Sequence, residues 1–232
     1  MNTLRKSTDR GHFNHGWLKT YHTFSFGDYY DPAHKGWRML RVLNEDWVEP
    51  GEGFPSHAHH DMEIVTYVLS GALEHKDSMG NTSVINAGDV QRMSAGTGVT
   101  HSEFNHSKSN EVHLFQVWFF PEKKHLRPEY EQKTFGLPVE TQGLRLLVSP
   151  EGVENSLSIH QDVCIYDARL AAGSKVHYPL MKGRGAWVQL ADGILQMAGV
   201  TLQPGDGLAV EQGSSLELFS PQGAHFLLFD MA

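Results

Sequence analysis

Cysteine is nearly absent from this sequence of 232 residues, which contains Cys164 alone. A single thiol excludes an intrachain disulfide and a metal site built from paired cysteines. The apolar neighbours Val163 and Ile165 favour an inert, packed thiol over a nucleophile. The cysteine content therefore indicates a reducing compartment, of which the cytoplasm is the simplest.

Basic clusters and long apolar runs are also missing. The chain has 19 lysines and arginines against 27 acidic residues, a formal charge of −8, and no basic block that could follow a phosphate backbone. The polar residues 1–6 lack the apolar segment of a secretory signal, and no run reaches the length of a membrane span. We expect a cytoplasmic monomer that binds neither membranes nor, directly, nucleic acid.

Helical periodicity is scarce, and from residue 38 onward short β-branched and aromatic runs alternate with glycine, proline and asparagine. This pattern is typical of an all-β sandwich or barrel. A hairpin turn is predicted at 77–81, where Gly80 supplies a positive φ. Strands are predicted at residues 39–44, 63–69, 71–77, 89–94, 98–105 and 112–119.

The second half of the chain is similar to the first. Residues 172–177, 188–193 and 203–206 correspond to 52–57, 67–71 and 86–89. A duplicated barrel follows, with an N-terminal domain at 1–125, a polar interdomain crossing at 126–143 and a C-terminal domain at 144–232.

Histidines are concentrated in the first half, where 12 of the 15 precede residue 126. Two pairs are split by one residue, His57-Ala58-His59 and His101-Ser102-Glu103. Residues i and i+2 of a strand share a face, so each pair can direct both side chains at one ion. Three imidazoles and a carboxylate suit a divalent transition metal and leave room for water, oxygen or substrate.

Two alternatives accompany this metal hypothesis. Alternating histidines are also found as surface or hydrogen-bonded residues without a metal. Glu63 is a reserve ligand, but it lies four residues after His59, whereas Glu103 shares a strand face with His101. In the second half, Pro179 and Leu218 stand at the positions of His59 and His101, which predicts a C-terminal barrel without ligands.

Five segments of the first half, 10–17, 21–26, 57–63, 75–80 and 93–103, carry a family resemblance. They resemble the cupin motifs and, more narrowly, the pirin family. Gly71 and Gly96 depart from the general cupin pattern in a way that is usual in pirins. The resemblance implies two tandem cupin jelly-roll barrels, with a metal on His57, His59, His101 and Glu103 of the first barrel and a degenerate second barrel.

The resemblance is closest to the bacterial pirin-like quercetinases. It implies an enzyme, a quercetin 2,3-dioxygenase, that opens the central ring of flavonols with dioxygen and releases carbon monoxide. The expected cofactor is one divalent ion, iron(II) first, with manganese, cobalt, nickel, copper or zinc as alternatives, and Glu103 is the expected base. Two rivals remain: a non-enzymatic, redox-dependent regulator that binds a protein partner, like animal pirins, and a cupin oxygenase for another small enolisable substrate.

Several other side chains have a structural interpretation. His60 points away from His59 and is expected in the outer shell or at the surface. An aromatic cluster near the N-terminus either packs over the barrel or lines a substrate cavity, and alternation at 21–26 favours a packed strand. Its members are His12, His15, Trp17, His22, Phe24 and Phe26.

Overall fold

The computed structural model describes residues 2–140, 143–211 and 215–232, and strands make up nearly all of its regular structure. Within those ranges the helices are two 3₁₀ turns, Ser7–Asp9 and Val153–Asn155. None of them has the length and apolar character required to cross a membrane. The strands are β1 (Asn2–Arg5), β2 (Gly11–Asn14), β3 (Leu18–His22), β4 (Leu40–Val48), β5 (Gly53–His59), β6 (Glu63–Ser70), β7 (Ala72–Asp77), β8 (Thr82–Asn86), β9 (Asp89–Ser94), β10 (Val99–Asn105), β11 (Val112–Phe119), β12 (Glu129–Thr134), β13 (Arg145–Ser149), β14 (Leu157–Ser158), β15 (Val163–Leu170), β16 (Ser174–Tyr178), β17 (Gly185–Gly193), β18 (Leu195–Met197), β19 (Val200–Leu202), β20 (Gly207–Val210), β21 (Leu216–Ser220) and β22 (Ala224–Met231).

The chain divides into two compact units. We call the unit formed by Gly11–Leu137 and Leu157–Gln161 the N-terminal barrel. The C-terminal barrel consists of Met1–Arg10, Pro138–Ser156 and Asp162–Ala232. The predicted all-β fold with two tandem units is therefore confirmed.

The N-terminal barrel is built from two antiparallel sheets. One has the strand order β12-β9-β6-β11-β4-β3-β2, and the other has the order β5-β10-β7-β8. Apolar side chains of both sheets form a shared core, in which Val68 and Leu114 of the larger sheet contact Leu73 and Ile85 of the smaller one. The two sheets thus pack face to face, with the inward side chains of each strand in the shared core.

The C-terminal barrel repeats this plan. Its larger sheet contains β1-β20-β17-β22-β15-β13 in that order, and its smaller sheet has the order β16-β21-β18-β19. A single apolar cluster fills the interior, and it includes Val176 and Leu218 from the smaller sheet and Phe226 from the larger one. All eight residues of β22 are buried.

The predicted strands at 89–94 and 112–119 coincide with β9 and β11. The interdomain crossing predicted at 126–143 requires a correction, because it contains β12, which pairs with β9 along its whole length. The polar side chains of β12 are half-buried at an edge of the sheet, a position that tolerates polar residues. Thr141 and Gln142, also in that segment, lie outside the described residues.

The N-terminal end of the chain also differs from the predicted boundary at 1–125. Strand β1 pairs with β20 of the C-terminal barrel, from Asn2 opposite Val210 to Arg5 opposite Gly207. The backbone N–H of Ser7 then donates to the Asp206 carboxylate at 2.7 Å. These hydrogen bonds place the first strand in the C-terminal barrel, which the residue pattern of a single short strand does not encode.

Candidate metal centre

Three histidines converge in the N-terminal barrel. His57 and His59 lie on β5, and His101 lies on β10 directly opposite His57. Their potential ligand atoms lie within 4.8 Å of one another, and their ring centroids are 4.5–4.9 Å apart. Antiparallel pairing of two strands with inward residues at alternate positions produces this cluster.

A β-bulge sets the direction of β5 beside the cluster. The register shifts between His101 and Glu103, so that Pro55 and Ser56 together oppose Ser102. Gly53 lies so close to the backbone of Glu103 that a Cβ atom would collide with it. The bulge and the glycine allow β5 to approach β10 closely where the histidines project.

The ring nitrogens of the three histidines are arranged for an ion. Nδ1 of His57 donates to the carbonyl oxygen of Pro55 at 2.8 Å, which leaves its Nε2 as the unprotonated nitrogen. Nε2 of His59 and Nε2 of His101 are buried and have no hydrogen-bond partner among the described residues. Buried ring nitrogens without partners are costly, so this donor set fits a divalent transition metal.

Glu103 lies beside the same cluster, on the side of His101 and His75. Its carboxylate groups with His101 and His75 within 4.8 Å, whereas the first triad consists of the three imidazoles. Oε2 of Glu103 accepts a hydrogen bond from Nε2 of Gln116 at 2.7 Å, and Oε1 accepts one from Oγ1 of Thr66 at 3.4 Å. His101 is thus shared by both groups, and the four predicted ligands occupy one region of the barrel.

His75 was not among the sequence-predicted site residues. It lies on β7, next to β10, with Glu103 directly opposite. The pattern His75-Lys76-Asp77 repeats the i, i+2 spacing of the two ligand pairs, and that spacing was the available signal.

Glu63, the reserve ligand, has other partners. Its Oε2 accepts hydrogen bonds from the hydroxyl of Ser94 at 2.9 Å and from the backbone N–H of His160 at 3.2 Å. It belongs to neither of the ligand groups found among the described residues. Glu103 is therefore the better-placed carboxylate.

Burial controls the protonation of the site. Burial first, and the neighbouring imidazoles second, lower the pKa of His59 to about 4 and the pKa of His101 to about 3. Burial raises the pKa of the Glu103 carboxyl, against the opposing effect of the nearby imidazoles and of Gln116. Both histidines are consequently neutral at pH 7, which is the form that binds a metal.

A cavity of about 330 Å³ opens beside these groups. Apolar side chains form most of its wall, and a few polar groups interrupt it, which is the usual composition of a small-molecule site. Trp118 stands next to the cluster, with its ring 4.8 Å from that of His59. The lining residues are Phe26, Asn44, Asp46, Phe54, Pro55, Ser56, His57, His59, Glu103, Gln116 and Trp118.

The N-terminal aromatic cluster has both of its predicted roles. Phe24 and His22 are buried in packing, whereas Phe26 lines the cavity and packs edge-on against Trp118 at 5.3 Å. The strand predicted over 21–26 ends at His22, because Ser25 bonds instead to the backbone of His34. His60 lies at the surface with 83% of its side chain exposed.

The C-terminal barrel has the same strand pairing without the ligands. Tyr178 opposite Leu216 and Val176 opposite Leu218 correspond to His59 opposite Val99 and His57 opposite His101. With Leu218 as the counterpart of His101, this register makes Tyr178 the counterpart of His59, one residue before the predicted Pro179. In the described part of the chain, groups of three or more ligands occur only in the N-terminal barrel.

Comparison with known proteins agrees with this architecture. Residues 3–119 match the family model described as Pirin. The chain belongs to the pirin family. In this pirin, residues 146–231 match a second model, described as a quercetinase C-terminal cupin domain.

Relatives of this pirin cover it almost completely. It is 43% identical to a quercetin 2,3-dioxygenase of Escherichia coli K12 over 228 residues, which cover 98% of this chain and 97% of the relative. A pirin-like protein of Caulobacter vibrioides is 37% identical over 232 residues, with 98% and 99% covered. The crystal structure of the E. coli bacterial pirin YhhW in complex with nickel(II) superimposes with a TM-score of 0.95 at 42% identity, covering 100% of this chain and 99% of the other.

Proposed function

We propose that this pirin is a metal-dependent dioxygenase that opens the central ring of flavonols such as quercetin. The observation that carries the proposal is the cluster of three imidazoles, in which His59 and His101 have buried ring nitrogens without a partner among the described residues, beside an aromatic cavity that His57, His59 and Glu103 line. The E. coli relative bears the name quercetin 2,3-dioxygenase, which supports this substrate class.

His57, His59, His101 and Glu103 are the proposed ligands of one divalent ion. Imidazole and carboxylate donors suit iron(II), our first choice, and also nickel, manganese, cobalt, copper and zinc. The nickel(II) complex of the E. coli pirin supports a transition metal in this barrel. When bound, such an ion supplies a Lewis acid that lowers the pKa of a substrate hydroxyl and holds its oxygen near dioxygen.

The cavity suits a flat aromatic molecule. Phe26, Phe54 and Trp118 offer ring faces and edges, and Asn44 and Gln116 offer amide groups at positions paired across β4 and β11. Aromatic walls select a planar ring system, and the amides orient its hydroxyl groups. The walls also exclude water from the reacting ring.

Glu103 is the proposed general base. Its Oε2 is held by Gln116, so Oε1 is the atom to which we assign the proton of the substrate 3-hydroxyl. A carboxyl whose pKa is raised by burial takes up a proton more readily at neutral pH than an exposed one. Ring opening retains both atoms of dioxygen in the organic product and releases one ring carbon as carbon monoxide.

Reconstitution tests the proposal. Metal-free protein is loaded anaerobically with iron, manganese, cobalt, nickel or copper in turn, and quercetin loss, oxygen uptake and carbon monoxide are then measured. We expect all three in equal amounts with at least one ion. Oxygen uptake with other enolisable compounds but not with flavonols would instead assign the alternative cupin oxygenase.

Two buried glutamates provide a matched pair of variants. Glu103→Gln keeps the side-chain shape but removes the base, and we expect kcat to fall by about 10²–10⁴-fold. Glu63→Gln alters a carboxylate of the same barrel that is bonded to Ser94 and His160, and we expect kcat within a few-fold of wild type. Equal losses in the two variants would refute the role assigned to Glu103.

A further inference from the structure

Two buried residues behind His101 form a hydrogen-bonded chain with it. Nδ1 of His101 lies 3.5 Å from Nδ1 of His75. Nε2 of His75 lies 3.1 Å from Oδ2 of Asp77, and both of these side chains are fully buried. The hydrogen-bonded chain therefore runs from the carboxylate of Asp77 through the imidazole of His75 to Nδ1 of His101, a proposed ligand.

The carboxylate of Asp77 is surrounded by donors. Its Oδ1 accepts the backbone N–H groups of Met79 and Asn81 at 2.9 and 3.0 Å. Its Oδ2 accepts the side-chain amide of Asn81 at 2.8 Å in addition to the imidazole. A carboxylate with donors on both oxygens acts as an acceptor only, so the shared proton belongs to Nε2 of His75.

The proton on Nε2 of His75 fixes which nitrogen donates and which accepts at every step of this hydrogen-bonded chain. A neutral imidazole has one donor and one acceptor nitrogen, so Nδ1 of His75 is an acceptor. The nitrogen facing it, Nδ1 of His101, must then carry its own proton. Nε2 of His101 is left with a lone pair, and this is the buried nitrogen that has no partner among the described residues.

The ring of His75 is held in place from another direction. It packs against the ring of Tyr130, with centroids 4.8 Å apart and an interplanar angle of 31°. The Tyr130 hydroxyl in turn hydrogen-bonds Ser83 at 2.5 Å and Gln132 at 2.9 Å. This packing prevents the His75 ring from rotating about its Cβ–Cγ bond, so its two nitrogens keep Asp77 and His101 as their partners.

We propose that His75 and Asp77 are positioning residues that keep the proton of His101 on Nδ1 and so direct the Nε2 lone pair at the divalent ion. This inference rests on the metal site of the proposed function. Hydrogen bonds of this kind fix the ring orientation of metal-binding histidines and raise their basicity. Neither residue touches the substrate cavity, so neither is a catalytic residue.

Asp77→Asn reverses the donor and acceptor roles along these hydrogen bonds, with minimal change in the shape of the side chain. Two backbone N–H groups hold the Oδ1 position, so the amide oxygen occupies it and the NH₂ group faces His75 and the side-chain amide of Asn81, which turns over to present its oxygen. Nε2 of His75 then becomes an acceptor, its Nδ1 becomes a donor, and His101 is protonated on Nε2, the wrong nitrogen. A second variant, His75→Phe, keeps the ring but removes both polar atoms and leaves the proton of His101 unassigned.

The first measurement is the tautomer of His101 in metal-free protein, from long-range ¹H–¹⁵N correlation spectra with the His101 signals identified by their loss in His101→Ala. We expect protonated Nδ1 and bare Nε2 in the wild type, the reverse in Asp77→Asn, and a mixture in His75→Phe. The second measurement is nickel(II) affinity by titration calorimetry. Both variants should bind about 10–100-fold more weakly.

Asp206→Asn is the matched control. Asp206 is a buried carboxylate of the C-terminal barrel that accepts the backbone N–H groups of Ser7 and Gln203 at 2.7 and 3.0 Å. This variant should change neither the His101 tautomer nor the nickel affinity. Circular dichroism of each variant verifies that it is folded.

A proton on Nε2 of His101 in the wild type would overturn the proposal, as would an Asp77→Asn protein with wild-type tautomer and affinity. The tautomer is measured without metal or substrate. A wild-type protein that fails to turn over flavonols therefore refutes the proposed function without affecting this result, and a wrong tautomer refutes the positioning role without affecting turnover.

Discussion

At equivalent places on the two barrels, one strand pairing presents either a cluster of histidines or a packed core. The N-terminal barrel presents His57, His59 and His101, and the C-terminal barrel presents Val176, Tyr178 and Leu218. Glu103 lies two residues after His101, and Ser220 lies at the corresponding position, two residues after Leu218. The backbone of a cupin barrel thus supports both outcomes, and the side chains at four inward positions decide between them.

The strands themselves differ at one point. β5 contains a bulge at Pro55 and Ser56, and its displaced carbonyl at Pro55 receives the Nδ1 proton of His57. β16 pairs with β21 in unbroken register. The bulge therefore belongs to the barrel with the histidine cluster, where it orients the ring of His57, and it is not needed where apolar side chains fill the interior.

The largest expected contrast comes from truncating equivalent residues. His101→Ala should weaken nickel(II) binding by more than about 100-fold, since loss of an outer partner alone costs 10–100-fold. Leu218→Ala should leave the affinity unchanged but reduce the free energy of unfolding by about 2–5 kcal/mol, because it opens a cavity in a core. Calorimetry and urea unfolding measure the two quantities, and a metal-binding defect in Leu218→Ala would break the comparison.

An ion pair in the C-terminal barrel provides the second contrast. Arg184 bonds Asp230 at 2.6 Å and Asp162 at 2.7 Å, and Asp230 also accepts the hydroxyl of Tyr178, the counterpart of His59. Arg184→Met leaves a buried carboxylate without its cation and should destabilise the protein by about 3–5 kcal/mol, with metal affinity unchanged.

The exposed pair of Lys175 and Glu217 serves as the control for that experiment. These groups lie 3.4 Å apart in the same barrel, and each side chain is 56% exposed. Lys175→Met should change the free energy of unfolding by less than about 1 kcal/mol. An equal loss of unfolding free energy in Arg184→Met and Lys175→Met would mean that the buried ion pair of Arg184 stabilises the barrel no more than an exposed one.

Acid should affect both barrels through buried neutral histidines. Burial holds the pKa of His59 at about 4 and that of His225, in the C-terminal barrel, at about 4 as well. A folded-state pKa below the unfolded value of about 6.5 contributes stability that is complete above that value and is lost as the pH falls toward 4.

Urea unfolding of metal-free protein at pH 7, 6, 5 and 4 measures this loss. We expect the midpoint to fall steadily over that range, and each of His59→Gln and His225→Gln to make the dependence shallower. Saturating nickel(II) should stabilise the protein at pH 7 and lose this effect in acid, because protons compete for the ligands. A midpoint independent of pH in this window would contradict the prediction.

The sequence predicted the parts of the site that depend on strand alternation. His57, His59, His101 and Glu103 occur at i, i+2 spacing, and alternation alone places each pair on one face. Glycine, proline and asparagine turns similarly gave β9 and β11 with their observed bounds. Both the facing of each ligand pair and the bounds of these two strands are determined by residues within a single strand and its flanking turns.

What the sequence left open depends on pairing between distant strands. The proximity of His75 to His101 requires the register of β7 against β10, and the inward position of Tyr178 requires the register of β16 against β21. A shift of one residue reverses the face of every side chain, which is why the sequence comparison indicates Pro179 where the strand register gives Tyr178. The membership of β1 in the C-terminal barrel has the same origin, since its partner β20 is some 200 residues away, from Asn2 to Val210.

The smallest expected effect comes from a tryptophan that occurs in both barrels with the same partner. Nε1 of Trp118 lies 3.4 Å from Oε1 of Gln116, and Nε1 of Trp187 lies 3.3 Å from Oε1 of Gln189. Trp118 lines the cavity beside His59, whereas Trp187 is buried with 2% of its surface exposed. The same pair therefore forms a cavity wall in one barrel and core packing in the other.

Trp118→Leu should raise the KM for quercetin by about 10-fold, because an aromatic contact contributes about 0.5–1.5 kcal/mol beyond its buried area. Since the tryptophan contacts the substrate rings in the ground state and the transition state alike, kcat should change little. Trp187→Leu should leave KM unchanged and lower the free energy of unfolding instead, because it removes buried volume. A KM that responds equally to both variants would show that the cavity beside His59 is not where the flavonol binds.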